Sequence, residues 1–405
     1  MEINLLDPAA YANGQPFDQY RWLQETDPVR WHEEPDGPGF WAVTKYHTVK
    51  DIESNWKLFS SEPVTTITDD NAVADDEHHH LIFSDPPHHT IHRKFLAPEL
   101  SPVPVRGLKG HIDGLVEGIV DEVIEQGECD LVPDLAGRLA SYVTADLLGL
   151  PRPEVVRLYD ASDRLNNSPT LKEGPGHAAM TEMFEASQHV WADRRANPRD
   201  DMLTRIAHGE IDGCPMDNIQ FGVDFLLLVV AGGDTTRNVV AGGMQALFEH
   251  PDQYALLKSD PSLTESAVEE MLRWVTPIVY QRRLATADTV LGDRAIPAGT
   301  KVVSFYGAAN RDPEQFPEPF RFDIRRAPNA HLAFGFGPHF CLGSHLARLE
   351  LNAMFRAMPR RMPDLEQAGP TVWMHTEAPI APTVIGPKSI PVRFTPGRVS
   401  AAVPA

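Results

Sequence analysis

The amino-acid sequence predicts a mainly helical protein with a small β-rich part, and three observations support this class. Apolar residues recur every three or four positions between residues 104 and 126, which is the period of one helix face. Residues 217–250 give the longest helical stretch, about 50 Å at 1.5 Å per residue. The strand-like segments 29–31 and 40–43 are short and flank turn-forming residues 35–39, which predicts a β-hairpin.

Composition limits the expected partners and compartment. The 405 residues suggest two or three domains by length alone, but no linker-like stretch divides the chain. A net charge of −21 argues against nucleic acid or an anionic membrane as the general partner. Three cysteines fit a reducing compartment better than a disulfide framework, so a cytoplasmic protein is expected. We find no signal-peptide pattern and no run of about 18 apolar residues, so no membrane anchor is expected.

The stretch around Cys341 carries the strongest chemical signal. Gly335 and Gly337 permit backbone angles closed to other residues, and Pro338 stiffens the segment between them and Cys341. Cys341 falls where this loop gives way to a helical pattern. A helix N-terminus carries partial positive charge and free N–H groups, so it would stabilise a thiolate that binds a soft metal. The alternative is a buried structural cysteine, the usual role of a lone cysteine in an intracellular chain.

Residues 334–343, Phe-Gly-Phe-Gly-Pro-His-Phe-Cys-Leu-Gly, closely resemble the haem-binding signature of the cytochrome P450 family, Phe-Gly-x-Gly-x-His-x-Cys-x-Gly. The resemblance implies a haem b cofactor whose iron has Cys341 as its axial ligand. It also implies that Phe334, Gly335 and Gly343 shape the cofactor-binding loop, and that His339 contacts a haem propionate. Further motifs extend the resemblance over nearly the entire chain, which looks like the soluble bacterial kind of P450.

The resemblance implies a P450 fold, with one large helical region around a long central helix and a small β-rich subregion. The whole of residues 1–405 would form this single domain. The β-rich part would include residues 25–60, 281–304 and 380–395, and the helical part residues 85–275 and 342–358.

Residues 85–93, Asp-Pro-Pro-His-His-Thr-Ile-His-Arg, predict a helix that begins near its two prolines. His89 and Arg93 are four positions apart, share one face and together suit an anion, although a salt-bridged surface face is the alternative. The segment resembles the C-helix motif of P450s, which implies that both residues hold a haem propionate. Arg283 resembles a further propionate-binding arginine on a strand of the family, with Arg282 as the neighbouring alternative.

The middle of the longest predicted helix, Ala-Gly-Gly-Asp-Thr-Thr at residues 231–236, contains residue types that suit a buried helix poorly. Gly232 and Gly233 would leave room for a flat ligand, although a tolerated kink is the alternative. The segment resembles the I-helix motif of P450s. That resemblance implies that Ala231 lies against the cofactor and that Asp234 and Thr235 are catalytic, delivering protons while O2 is cleaved.

Two further sets of residues follow from the resemblance. Glu270 and Arg273 on a helix, together with Arg321, resemble the structural Glu-Arg-Arg cluster of P450s. The substrate wall is expected to be mostly apolar and to include Val64, Ile82, Leu227, Val230, Ile278, Val279 and Ile380. A small hydrophobic substrate is therefore expected, and framework segments resemble P450s that act on terpenoids, steroids and lipids.

The expected activity is that of a monooxygenase that hydroxylates or epoxidises its substrate with O2 and two external electrons. Ferredoxin and ferredoxin reductase are the expected donors to a monomer, because no flavin or nicotinamide domain is fused to the chain. An acidic ferredoxin would dock on a basic surface patch, and the candidate members of this patch are Lys94, Arg106, Lys109, Arg348 and Arg356. The alternative is that these residues are scattered surface charges without a docking role. Two functions remain as alternatives: coupling, desaturation or another non-hydroxylating oxidation, including action on a carrier-bound substrate, and ligand sensing without turnover.

Overall fold

The computed structural model describes residues 1–68, 78–166, 168, 173–374 and 381–400. The α-helices in this part of the chain are α1 Phe17–Thr26, α2 Tyr46–Ser54, α3 His88–Leu96, α4 Pro102–Gly107, α5 Lys109–Asp121, α6 Gly137–Leu148, α7 Arg152–Asn166, α8 Gly174–Ala196, α9 Met202–Ala207, α10 Asn218–Glu249, α11 Pro251–Ser259, α12 Thr264–Val275, α13 Tyr306–Ala309 and α14 Ser344–Arg361. The strands are β1 Val29–His32, β2 Phe40–Val43, β3 Phe59–Ser60, β4 Glu128–Asp130, β5 Glu210–Ile211, β6 Cys214–Pro215, β7 Tyr280–Ala285, β8 Thr289–Leu291, β9 Arg294–Ile296, β10 Lys301–Phe305, β11 Glu366–Gln367, β12 Val372–Trp373, β13 Pro387–Ser389 and β14 Pro391–Arg393.

The central helix is α10, which agrees with the long helical pattern of the sequence. The Asp217 carboxylate caps its first turn by accepting hydrogen bonds from the backbone N–H groups of Ile219 and Gln220. The helix contacts α6, α7, α8, α12 and α14, so most of its circumference is packed. Within the described residues, α10 is the one helix whose length and hydropathy fit a membrane span, a property that buried core helices share.

The amphipathic pattern of residues 104–126 folds as two helices rather than one. The chain leaves α4 at Leu108, whose N–H bonds to the carbonyl of Val105, and α5 follows directly. The predicted apolar face is nevertheless buried on α5, and α14 packs beside it. The break follows from tight turn geometry at Leu108, which the apolar period does not reveal because both helices use the same residue spacing.

The largest sheet has five strands in the order β1-β2-β10-β7-β3. Strand β10 runs parallel to β2 and antiparallel to β7, and β1 and β2 form the predicted hairpin. The segment 380–395, which was expected in the same β-rich part, joins other sheets: β13 pairs with β12, and β14 lies between β11 and β4. Residues 381–385 nevertheless lie against the main sheet, since Val384 forms an isolated bridge with Ile278, and Ala381 and Ile385 share a core with Phe40 and Val303.

The segment from Pro396 to Ser400 packs on the helical part, although no apolar pattern in the sequence predicts this. The Arg361 guanidinium on α14 bonds to the Ser400 hydroxyl and to the Arg398 carbonyl, and Asp121 accepts the Ser400 N–H. A Cβ added at Gly397 would lie 2.8 Å from Ile124. The segment is therefore anchored by polar groups rather than by an apolar pattern, which explains why the sequence did not reveal it.

Candidate functional site

The Cys341 loop is closed by a backbone hydrogen bond and needs its two glycines. The N–H of Cys341 donates to the carbonyl of Phe334 over 2.9 Å. Gly335 and Gly337 have φ of 70° and 69°, a region that favours glycine. A Cβ at Gly337 would lie 2.3 Å from the Glu53 carbonyl oxygen, so any other residue there would push the loop off α2. The loop therefore holds Cys341 in one position.

The sulfur of Cys341 lies just before α14 instead of within its first turn. Helix α14 begins at Ser344, with Gly343 at the N-cap position. Burial raises the pKa of the Cys341 thiol, while a hydrogen bond from the Gly343 N–H and the positive charges of Arg93 and Arg348 oppose that rise. Without a bound metal, the protonated thiol is therefore the favoured form of Cys341. A bound metal cation would convert it to the thiolate.

A cluster of basic side chains lies beside this loop. The rings of His89 and His339 are 4.1 Å apart, and the Nε2 atom of His339 lies 3.0 Å from the Ser61 hydroxyl. Burial, together with the nearby charges of Arg283, His89 and Arg93, lowers the pKa of His339 to about 2. Four residues predicted to hold haem propionates therefore meet in one place, although they come from α3, β7 and the loop.

The unsatisfied groups in this cluster fit a bound anion. His89 is 2% exposed, and neither of its ring nitrogens has a partner within the described residues. In the same part of the chain, no hydrogen bond or ion pair reaches the half-buried guanidinium of Arg93. Burial also lowers the pKa of His89 to about 4, with Arg93 as the next cause. Buried polar groups without partners are costly, so carboxylates of a cofactor would satisfy them.

The face of α10 that carries Ala231 and Thr235 is the accessible one. Ala231 is exposed and Thr235 is partly exposed, and the Thr235 hydroxyl donates to the Ala231 carbonyl over 3.1 Å. The two residues are four apart, so they lie one above the other on the helix. Their exposure leaves both side chains available to a cofactor and to O2.

The two glycines of this motif do not make room for a flat ligand, so that prediction was wrong. A Cβ at Gly233 would lie 2.7–3.0 Å from three ring atoms of Tyr159, and one at Gly232 would lie 2.7 Å from the Thr144 hydroxyl. Gly233 faces Tyr159 on α7, about 160° around the helix from Thr235, and Gly232 faces Thr144 on α6. Their role is close helix packing, because neighbouring side chains already fill the space beside them.

Replacing Gly233 by Ala is expected to destabilise the protein. The Tyr159 ring cannot move aside freely, since its hydroxyl bonds to the Ala140 carbonyl and the Thr144 hydroxyl. Overpacking of this kind costs about 1–3 kcal/mol. The matched control is Gly114→Ala on α5, where nothing lies within 4 Å of the added Cβ and helix propensity gains up to about 1 kcal/mol. Urea denaturation should move the two midpoints in opposite directions, and equal shifts would contradict the packing role.

Asp234 is buried and belongs to a polar chain that leads outward. Its carboxylate lies 3.0 Å from the Arg237 guanidinium and accepts a 3.4 Å hydrogen bond from the Ser162 hydroxyl. Arg237 in turn donates to the partly exposed Asp163 over 2.8 and 3.2 Å. Sequence reasoning missed Arg237, Ser162 and Asp163. The spacing of three between Asp234 and Arg237 is the one signal that was available, and it is common on any helix.

The cluster around Glu270 contains Arg326 where Arg321 was predicted. Both Glu270 oxygens accept 2.8 Å bonds from Arg273, and Arg326 Nε lies 3.1 and 3.2 Å from them. The Arg321 side chain is 54% exposed and pairs with Glu318. Arg321 therefore contributes only its backbone carbonyl to the cluster, where it accepts a hydrogen bond from Arg326. The prediction of Arg321 was wrong because the turn after it reverses the chain and brings Arg326 back onto Glu270.

The predicted substrate wall is only partly accessible. Val64 and Val279 are at most 1% exposed and Leu227 is 9% exposed, whereas Ile82, Val230 and Ile278 are partly buried. Ile380 lies outside the described residues. The histidine run ahead of Ile82 is structural: His78 lies 3.1 Å from Asp217, and the His79 N–H donates to the Gln220 side chain. These contacts fasten the segment before α3 to the first turns of α10.

The known proteins that this chain is similar to include several of one family. The profile of the cytochrome P450 family matches residues 176–361. A steroid C26-monooxygenase of Mycolicibacterium smegmatis is 35% identical over 404 residues, which is 98% of this chain and 96% of that protein. A linalool 8-monooxygenase of Pseudomonas putida is 33% identical over 378 residues, 90% of this chain and 93% of that protein. The structure of a Mycobacterium marinum cytochrome P450 in complex with pseudoionone has a TM-score of 0.87 at 32% identity, with 97% and 99% of the two chains covered.

The chain therefore belongs to the cytochrome P450 family, a class of haem-thiolate proteins. It is a cytochrome P450 monooxygenase, and the resemblance on which the sequence prediction rested is confirmed, as is the mainly helical P450 fold.

Proposed function

We propose that this P450 binds haem b and inserts one oxygen atom from O2 into a steroid or terpenoid substrate. The substrate class is proposed from two relatives that are at least 33% identical to this chain. One is named for a steroid and the other for linalool. The structure of the relative bound to pseudoionone supports it further. Steroids and terpenoids share isoprenoid carbon skeletons, which suit the mostly apolar wall predicted from the sequence.

The residues that hold the haem are proposed from the unsatisfied groups of the site. Cys341 would supply the thiolate that binds the haem iron, and the loop of Phe334, Gly335 and Gly343 would support the cofactor next to it. His89 and Arg93 bind one propionate, because both lack partners within the described residues. His339 and Arg283 complete the propionate contacts from the loop and from β7. The exposed Ala231 would contact the cofactor from α10, where its small side chain would leave room for O2.

The protein groups on α10 manage protons. A thiolate-bound haem supplies the iron at which O2 is reduced and cleaved, a reaction that consumes two protons. The Thr235 hydroxyl, which donates to the Ala231 carbonyl, could turn to orient a proton donor toward bound O2. Asp234 would pass protons between solvent and the Thr235 side of the helix, and its ion pair with Arg237, which Asp163 holds in place, keeps its carboxylate in position without itself carrying protons. Its burial keeps bulk water away from the reacting atoms.

Electrons would come from an acidic ferredoxin, which is itself reduced by a flavin-containing reductase. Of the five basic residues in the predicted docking patch, Lys109 pairs with Asp113 and Arg348 pairs with Glu269. The remaining three are exposed and have no ion pair within the described part of the chain, namely Lys94, Arg106 and Arg356. Phe340, next to Cys341, is 38% exposed and would give this face an apolar contact. A cytoplasmic location and a monomeric state remain predictions.

The substrate proposal is tested by titrating the purified ferric protein with a panel of ligands and following the haem spin state. The panel contains steroids, acyclic terpenoids, fatty acids, aromatic acids and cyclic peptides. We expect a saturable shift to high spin with steroids or terpenoids, because a bound substrate displaces water from the iron. A shift with fatty acids or peptides alone would contradict the proposed class. No shift with any free compound would favour the carrier-bound alternative, and absence of a thiolate-type spectrum would contradict the Cys341 assignment.

A further inference from the structure

Glu53, which sequence reasoning did not single out, is ion-paired with one of the proposed haem-binding residues. Its carboxylate Oε2 lies 2.5 Å from Nη2 of Arg283, and the two side chains are 0% and 4% exposed. Arg283 also donates to the carbonyl of Arg282 over 2.9 Å. Arg283 is thus not an isolated cation awaiting a propionate, because a buried carboxylate already neutralises part of its charge.

Burial raises the pKa of Glu53, and the neighbouring Arg283 guanidinium, 2.5 Å away, is the largest of the influences that favour its carboxylate form. The Tyr306 and Ser304 hydroxyl groups face the carboxylate and act with Arg283 to oppose the rise in pKa that burial causes. Three polar groups from β7, β10 and the start of α13 therefore converge on this one side chain. The hydrogen bonds of Arg283 to Glu53 Oε2 and to the Arg282 carbonyl fix the geometry of the pair, whereas Glu53 Oε1 has no hydrogen-bond partner within the described residues.

The backbone of Glu53 also supports the cysteine loop. Gly337 packs so closely on the Glu53 carbonyl that a Cβ would lie 2.3 Å from the oxygen. One turn earlier on α2, the Lys50 ammonium lies 4.5 Å from the centre of the Phe336 ring. The end of α2 thus contacts the loop through its backbone and Arg283 through its side chain, so a single rigid element links the iron-binding loop to the propionate cluster.

We propose that Glu53 is a positioning residue that orients Arg283 at the haem edge and holds the reduction potential of the haem low. This inference rests on the haem site proposed above. Reduction of ferric haem adds one electron, and a carboxylate buried in a medium of low dielectric constant opposes added negative charge. Because Glu53 partly cancels the charge of Arg283, the haem receives less stabilisation of its reduced form than an unpaired guanidinium would give.

The experiment is a potentiometric titration of holoprotein carrying Glu53→Gln, which keeps the side-chain shape and removes the charge. We expect a positive shift of the midpoint potential, at an unchanged thiolate-type spectrum. Glu34→Gln is the matched control, because Glu34 is 7% exposed in its side chain and pairs over 3.0 Å with the buried Lys301 on the neighbouring strand. That control should leave the potential unchanged. An unshifted potential in fully loaded Glu53→Gln would overturn the proposal.

A second variant covers the case in which Glu53→Gln is purified without haem. Glu53→Asp keeps the charge but shortens the side chain, so a charge role predicts that it retains haem where the Gln variant does not. Loss of haem from both variants alike would show that Glu53 acts through packing and would overturn the proposal. Failure of the haem site itself has a different signature, since the unmodified protein would then lack the thiolate-type spectrum.

Discussion

Replacing Thr235 by Ala is expected to reduce product formation by about 10²-fold, the lower end of what a positioned proton-transfer group contributes. Electron consumption should fall much less, with the difference appearing as hydrogen peroxide. The reason is that the hydroxyl lies on the accessible face of α10, beside Ala231, where it can orient a proton donor. Product, peroxide and consumed electrons are measured together in a reconstituted assay with a ferredoxin, its reductase and the best ligand from the titration.

Thr236→Ala is the matched control for this prediction. Thr236 is the same residue type on the next position of α10, but it is 5% exposed and lies about 100° around the helix from Thr235. It should retain normal coupling of electrons to product, and Thr235→Ser should restore most of the loss by returning the hydroxyl. Unchanged coupling in Thr235→Ala would remove Thr235 from the proton relay. If Thr235→Ala leaves ligand affinity unchanged and the unmodified protein shows no turnover, the ligand-sensing alternative is favoured.

Replacing Glu270 by Gln is expected to lower the free energy of unfolding by about 3–5 kcal/mol, the usual cost of breaking a buried ion pair. Glu270 and Arg273 are both 0% exposed in their side chains. The Glu270 carboxylate also accepts hydrogen bonds from Arg326, from the Asn329 amide and from the Asp323 N–H. A neutral amide would leave two guanidinium groups buried with too little negative charge. The measurement is the urea midpoint of the haem-loaded protein.

Arg321→Ala distinguishes the observed cluster from the one predicted by resemblance. Its side chain is more than half exposed, so its removal should change stability by no more than about 0.5 kcal/mol. Arg326→Ala, in contrast, should approach the effect of Glu270→Gln. Comparable losses of unfolding free energy in Arg321→Ala and Arg326→Ala would contradict the placement of Arg326 on Glu270.

Much of the candidate site was predictable because its signals are local. The cysteine loop depends on glycines at positions with positive φ and on a backbone bond between Phe334 and Cys341, all within ten residues. His89 and Arg93 likewise share a helix face through their spacing alone. Such features depend on short-range geometry, so a sequence pattern can specify them without knowledge of the rest of the fold.

The wrong predictions concerned which neighbouring element a residue faces. Gly232 and Gly233 were assigned to ligand approach, yet Tyr159 and Thr144 occupy the space next to them. Composition shows that a helix is buried on most sides, but it does not show which side faces the ligand. Arg321 was preferred to Arg326 for a similar reason, since several arginines follow Glu270 and the turn geometry decides which of them returns to it.

Sequence motifs alone were sufficient to identify the family and the mainly helical class, and to nominate Cys341, Asp234 and Thr235 as site residues. The packing of distant elements established which charged groups are neighbours: Arg237 and Asp163 for Asp234, Arg326 for Glu270, and Glu53 for Arg283. The last pair is 230 positions apart in the chain. Residue spacing encodes contacts within one helix or loop, whereas charges brought together from distant elements depend on how the helices and the sheet pack.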